Sequence, residues 1–218
     1  GVTHKMPQPI TNLQVGSKIK YGSAYGAPIT WLVAAKNHSG YPTGAITLLT
    51  ERIIKIMASD AMEPSNSNSD RRSWGNNRHI HSNILQWLNS QAAAGQWYQG
   101  QHAADAPPTA ANLWNNHNPY DQQSGFLNAF SADERASILE TNLTVVRATV
   151  DGGGSETFKS KVFLLSTTEV GLANESGIAE GSRLALFTTD NSSRLCNPTA
   201  SAVGNSTYTT SGLNTGQP

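Results

Sequence analysis

Cysteine is almost absent from this 218-residue chain: Cys196 stands alone. An internal disulfide framework and a cysteine-rich zinc site are thereby excluded. Charge is sparse as well. Lys and Arg number 15, Asp and Glu 15, and together they make up 14% of the residues, against roughly a quarter in an average soluble domain. A chain of zero net charge lacks the positive field that phosphate backbones require, so nucleic acid is not an expected partner. No apolar run approaches the ~20 residues of a bilayer crossing, and a membrane is not expected as a partner either. No 20–50-residue repeat is present, which disfavours a solenoid or propeller. In place of charge stand 23 Ser, 20 Thr and 19 Asn, the composition of a polar, uncharged surface.

Gly1 in place of an initiator methionine, with no basic-then-apolar leader after it, reads as a chain processed or cut from something longer. Ser17–Tyr21 and Ile29–Lys36 are predicted strands around a turn over 22–27, followed by a β run over Ala45–Thr50. Arg52–Met57 continues that run or turns into a short helix. Residues 59–72 are nearly all polar, and Pro64 argues against a regular element through their middle. Ser82 is a plausible N-cap for a helix to about Asn89, with Ile84, Leu85 and Leu88 on its apolar face and Trp87 buried. Residues 91–120 read as a long loop pinned by aromatics. Ser131-Ala132-Asp133-Glu134 is a capping box, with Ile138 and Leu139 on the buried side of its helix. Leu143–Val150 and Val162–Leu165 read as strands, separated by the turn Asp151-Gly152-Gly153-Gly154, and Ser166 or Thr167 caps a short helix holding Glu169 and Val170. Strands and helices without βαβ alternation predict an α+β fold.

Candidate chemistry is thin. Asp60, Glu63, Asn66, Asn68 and Asp70 place oxygens along one loop that could surround a hard cation such as calcium. The simpler reading is an Asn/Ser turn bonding its own amides, so no cofactor is expected. Asp60 and Glu63 are also an acid pair of the kind glycoside hydrolysis uses, but such pairs three apart are commonplace. His79 and His81 form an H-x-H pair with no third metal ligand at a matching spacing, and read as polar surface histidines. Cys196 has no partner for nucleophilic work. Trp74, Trp87, Trp97 and Trp114 cluster in sequence with Tyr98 and Tyr120. They suit pinning of the loop, and Trp97, Tyr98, Trp114 and Tyr120 are the expected ligand-contacting rings if the surface binds a glycan or protein.

Four segments carry a family likeness: Asp60-Ala61-Met62-Glu63-Pro64-Ser65-Asn66; Gly75-Asn76-Asn77-Arg78 through Ser82-Asn83-Ile84-Leu85-Gln86-Trp87-Leu88-Asn89-Ser90; Gly125-Phe126-Leu127; and Lys161-Val162-Phe163-Leu164-Leu165-Ser166-Thr167-Thr168-Glu169-Val170-Gly171-Leu172. In order and spacing, from about Pro9 onward, the chain resembles a family of uncharacterised domains found in phages, prophages and gut bacteria. That resemblance implies a C-type-lectin-like α+β fold, shared with formylglycine-generating enzymes and phage receptor-binding proteins, with short strands, two or three helices and long loops. Formylglycine-type oxidation needs two reactive cysteines and is not carried over. The family's Trp-Trp-Leu-Arg and Arg-Pro-Ala segments do not occur here, so the domain is expected to be incomplete at its C-terminus. The expected layout is an N-terminal extension over 1–8, a lectin-like domain over 9–197, and a polar tail or lead-in over 198–218. The implied role is a non-enzymatic virion or cell-surface protein that binds a host surface glycan or protein, as a homo-oligomer beside other virion subunits. The alternatives are a polysaccharide-degrading tail enzyme acting through Asp60 and Glu63, and a decoration domain joining virion subunits.

Overall fold

A computed structural model describes residues 12–187 and 194–208. The expected extension over 1–8 lies outside them. The fold is α+β, as expected, with two small antiparallel sheets, short helices and long loops. Among the described residues no helix is long and apolar enough to cross a membrane.

Strands β1 (Lys18–Ala24), β2 (Ala27–Lys36) and β3 (Ile46–Thr50) form one sheet with β2 in the middle. The turn expected over 22–27 is tighter than that. Ala24 pairs with Ala27, and the connection is Tyr25-Gly26 alone, both at positive φ, the backbone twist of a two-residue hairpin. Gly22 instead marks a shift of register inside β1, where a Cβ would lie 2.3 Å from the Phe130 ring. Only glycine lets that ring close onto the sheet. After β3 the chain becomes neither strand nor helix, but Ile53 makes a parallel bridge to Pro198.

Helix α1 (Ser69–Trp74) breaks the expected irregular stretch. Pro64 lies upstream of it, and Asn68 accepts from the amides of Asp70 and Arg71 to cap it. The next helix, α2 (Asn83–Leu88), begins at Ser82 as predicted and buries Trp87. Residues 91–120 form the expected aromatic-pinned loop. Trp97 stacks on Tyr120 with centroids 5.5 Å apart, its Nε1 donates to the Tyr120 carbonyl at 2.9 Å, and the Tyr120 hydroxyl donates to the Ala58 carbonyl at 2.9 Å. Burial of this kind leaves aromatic polar tips paired and ring faces dry.

The capping box is present at α3 (Ala132–Ser137), and Glu134 also accepts from the Gly22 amide at 2.7 Å. Ile138 packs on the core, whereas Leu139 faces out. Strand β4 (Thr141–Val146) pairs with β5 (Ser155–Ser160), stopping short of the predicted Val150 because a 3-10 turn begins at Thr149. The apolar run Val162–Leu165 is not a strand. The Asn89 carboxamide oxygen takes the amides of Lys161 and Val162, at 2.9 and 3.0 Å, and Leu164 is exposed. Alternation, not apolarity, marks the true strand: in β5 Glu156, Phe158 and Ser160 face inward. Ser166 and Glu169 exchange reciprocal capping bonds in a single turn that goes no further. Helix α4 (Ala200–Gly204), capped by Thr199, gives structure to the start of the segment read as a polar tail; residues 209–218 lie outside the described residues.

Two apolar clusters hold these elements. Ile29, Trp87, Trp97, Tyr120, Phe126 and Phe130 anchor the larger one, and Ala34, Ala35, Leu184 and Phe187 the smaller.

Candidate ligand-binding cleft and the polar cluster beneath it

A cleft of about 430 Å³ opens between α1 and the β4–β5 connection, lined among others by Asn68, Arg71, Trp74, Asn76, Asn77 and Thr149. Its position follows from short-range chemistry. Asn68 starts α1, and Gly75 ends it at φ 89° and ψ 173°, a backbone region almost confined to glycine. A Cβ there would lie 2.9 Å from the carbonyl oxygens of Asp60 and Ala61. The sharp exit throws Trp74 outward, and it is 69% exposed.

The opposite wall is tied down by two bidentate ion pairs. Arg71 holds Asp151 at 3.0 and 2.6 Å and also reaches Asn77 Oδ1 at 3.0 Å. Arg78 holds Glu156 at 3.0 and 2.6 Å. Hydrogen bonds from the guanidinium groups keep Asp151 and Glu156 below the ordinary carboxylate range. Arg71, buried and already paired, thus contributes shape to the cleft more than free positive charge.

Beneath the cleft floor lies a buried polar cluster. Asp60 accepts from the amides of Asn76 at 2.7 Å and Asn83 at 2.9 Å. Burial pushes its pKa up to about 7, with the carboxylates of Glu63 and Asp105 adding to the effect and the two amide bonds opposing it. Asn83 accepts from the Ala61 amide at 2.7 Å and donates to the Ala106 carbonyl at 3.2 Å. Glu63 meets His102 Nε2 at 2.6 Å and accepts from Asn66 Nδ2 at 2.6 Å. His81 stacks on His102 with centroids 4.5 Å apart.

The residues singled out in the sequence separate here. Asn66 and Asn68 spend their side-chain oxygens on local amides, as the Asn/Ser turn reading expects, and Asp70 is exposed on α1. The five-oxygen cage over residues 60–70 is therefore replaced by a split arrangement, with Asp60 and Glu63 inside and the rest outside. Glu63 is fully buried, and Asp60 nearly so, which places neither carboxylate on an open surface. Of the four candidate rings, Trp97 and Tyr120 are core residues, so their expected ligand contact is corrected to loop pinning. Trp114 is 53% exposed and Tyr98 half-buried. His79 and His81 are half-buried in a 3-10 turn rather than on the surface, and burial holds both below the ordinary imidazole value. The Cys196 thiol is pushed up by burial, consistent with an inert side chain.

Sequence reasoning missed His102 and Asp105, which sit in a loop with no ligand spacing, and it gave Trp74 no part in the binding surface. The signal for Trp74 was available: an aromatic at the last position of a capped helix, followed by Gly75.

A family model described as Domain of unknown function (DUF6273) matches residues 44–212, and the chain belongs to that family. Neither a curated protein nor a solved structure matches it.

Proposed function

We propose that this chain is a non-catalytic binding module, on a C-type-lectin-like scaffold, whose cleft takes an uncharged glycan at a host cell surface. We place it on a phage virion or at a bacterial cell surface, displayed as a homo-oligomer. The observation that carries the reading is Trp74, an indole 69% exposed on a cleft whose lining includes Ser59, Asn68, Asn76, Asn77 and Thr149. A sugar ring offers an apolar face to an indole and hydroxyls to carboxamides, which both donate and accept. With Arg71 neutralised by Asp151, the cleft holds no unpaired cation among its buried lining residues, which supports a neutral ligand over an anionic one.

Trp74→Ala should lower binding to glycan arrays and whole cells at least tenfold while leaving the melting temperature within about 1 °C, because an exposed ring contributes little to folding. Blank arrays and blank cell binding by multivalent wild-type protein would sink the proposal.

A further inference from the structure

We infer that Glu63, His102 and Asp105 form a binding site for one divalent transition-metal ion, of the zinc type, that clips the 101–105 loop onto the 60–63 segment. One donor atom from each of the three residues lies within 4.8 Å of the other two, with Glu63 buried and the others half-buried. A nitrogen and two carboxylates are ligands zinc accepts, at about 2.0–2.2 Å, so closing around an ion needs only a small contraction of the set.

Two further observations point to a cation-binding role. The first is charge. Glu63 is fully buried and Asp60 nearly so, with the half-buried Asp105 close to Glu63, and buried charges are ordinarily paired or metal-bound. Arg71, the nearest buried guanidinium in sequence, is committed to Asp151. The group facing Glu63 is the His102 ring, with Nε2 at 2.6 Å. The second is an orphan. His102 Nδ1 is buried and has no hydrogen-bond partner among the described residues, a condition native structures rarely tolerate without a water or ion.

The surroundings are already arranged to hold ligands still. Asp105 Oδ2 accepts from the Gln101 amide at 2.8 Å, Glu63 accepts from Asn66, and His81 stacks on the imidazole. Such outer contacts fix ligand orientation in metal sites. Any proton that a ligand atom carries leaves to solvent as the ion enters. The role is structural: Asn83 joins Asp105 and Ala106 to Ala61, so the ion tightens the floor on which Asp60 and Asn76 position the cleft.

The test uses the whole chain, stripped with chelator and titrated with zinc and with cobalt in calorimetry and visible absorption. Binding of one ion per chain, a rise in melting temperature of several degrees, and a cobalt d–d band are expected. His102→Ala and the near-isosteric Asp105→Asn, each checked for folding by circular dichroism, should weaken the metal at least tenfold. No binding by the wild-type chain overturns the site. Undiminished binding in folded variants does the same, as does calcium uptake that ignores His102.

Discussion

Asn83→Ala is expected to cost roughly 3–5 kcal/mol of folding stability, a loss of about 1.5–2 M in the urea midpoint for a domain of this size. Asn83 is fully buried at the first position of α2, and its carboxamide bridges two chain segments: it accepts from Ala61 and donates to Ala106. Truncation leaves an amide and a carbonyl dry and unpartnered, each costing about 1–3 kcal/mol, and adds a small void. The reading is specific to these bonds. Asn77→Ala, at an exposed position whose oxygen meets Arg71, should cost well under half as much. Near-equal losses at the two positions would show that the 60–83–106 junction is not the keystone described.

The second large effect is one of pH. Asp60 carries a folded pKa near 7 against an ordinary 3.8, chiefly through burial. A carboxyl whose pKa is raised on folding prefers its proton in the native state, so its ionisation costs stability. Below about pH 4 both states are protonated and the cost is absent; it grows through the window from 4 to 7 and is complete above 7. Three units at 1.36 kcal/mol each put the full effect on the order of 4 kcal/mol. Other groups tilt the curve differently. His79 and His81, held below the ordinary imidazole value, gain stability as pH rises toward 6.5, while Asp151 and Glu156, held low by arginines, lose theirs only as pH falls through the acid range. The clean readout is therefore a difference. Stability of wild type minus Asp60→Asn, measured by urea titration in chelator from pH 4 to 8, should fall with rising pH and level off near 7. A flat difference would mean that Asp60 ionises freely in the fold.

What could be read beforehand was whatever short-range chemistry decides. The Ser82 and Ser131 caps and the β1–β2–β3 runs are marked by residues within a few positions, and all are present. Failures came where a distant partner overrode local preference. Val162–Leu165 is apolar enough for a strand, but Asn89, more than seventy positions earlier, takes its leading amides. Trp97 and Tyr120 could not be told from surface rings because the contacts that bury them, their mutual stacking and the apolar cluster around Trp87, are distant in sequence. The candidate site was half legible. Asp60 and Glu63 stood out as acids in a polar loop, but nothing near His102 or Asp105 in sequence announces that the fold carries them to Glu63.

The central strand β2 has a consequence for how the molecule breathes. It gives Ile29 to one apolar cluster and Ala34 and Ala35 to the other, so neither nucleus can open while β2 stays in place for its neighbour. The β4–β5 hairpin is fastened largely by arginine pairs and the Asn89 carboxamide, with little apolar burial of its own. Deuterium should therefore enter the hairpin through sub-global openings, while the amides of β2 wait for the whole chain to unfold. The wall of the cleft and its foundation then keep time on separate clocks.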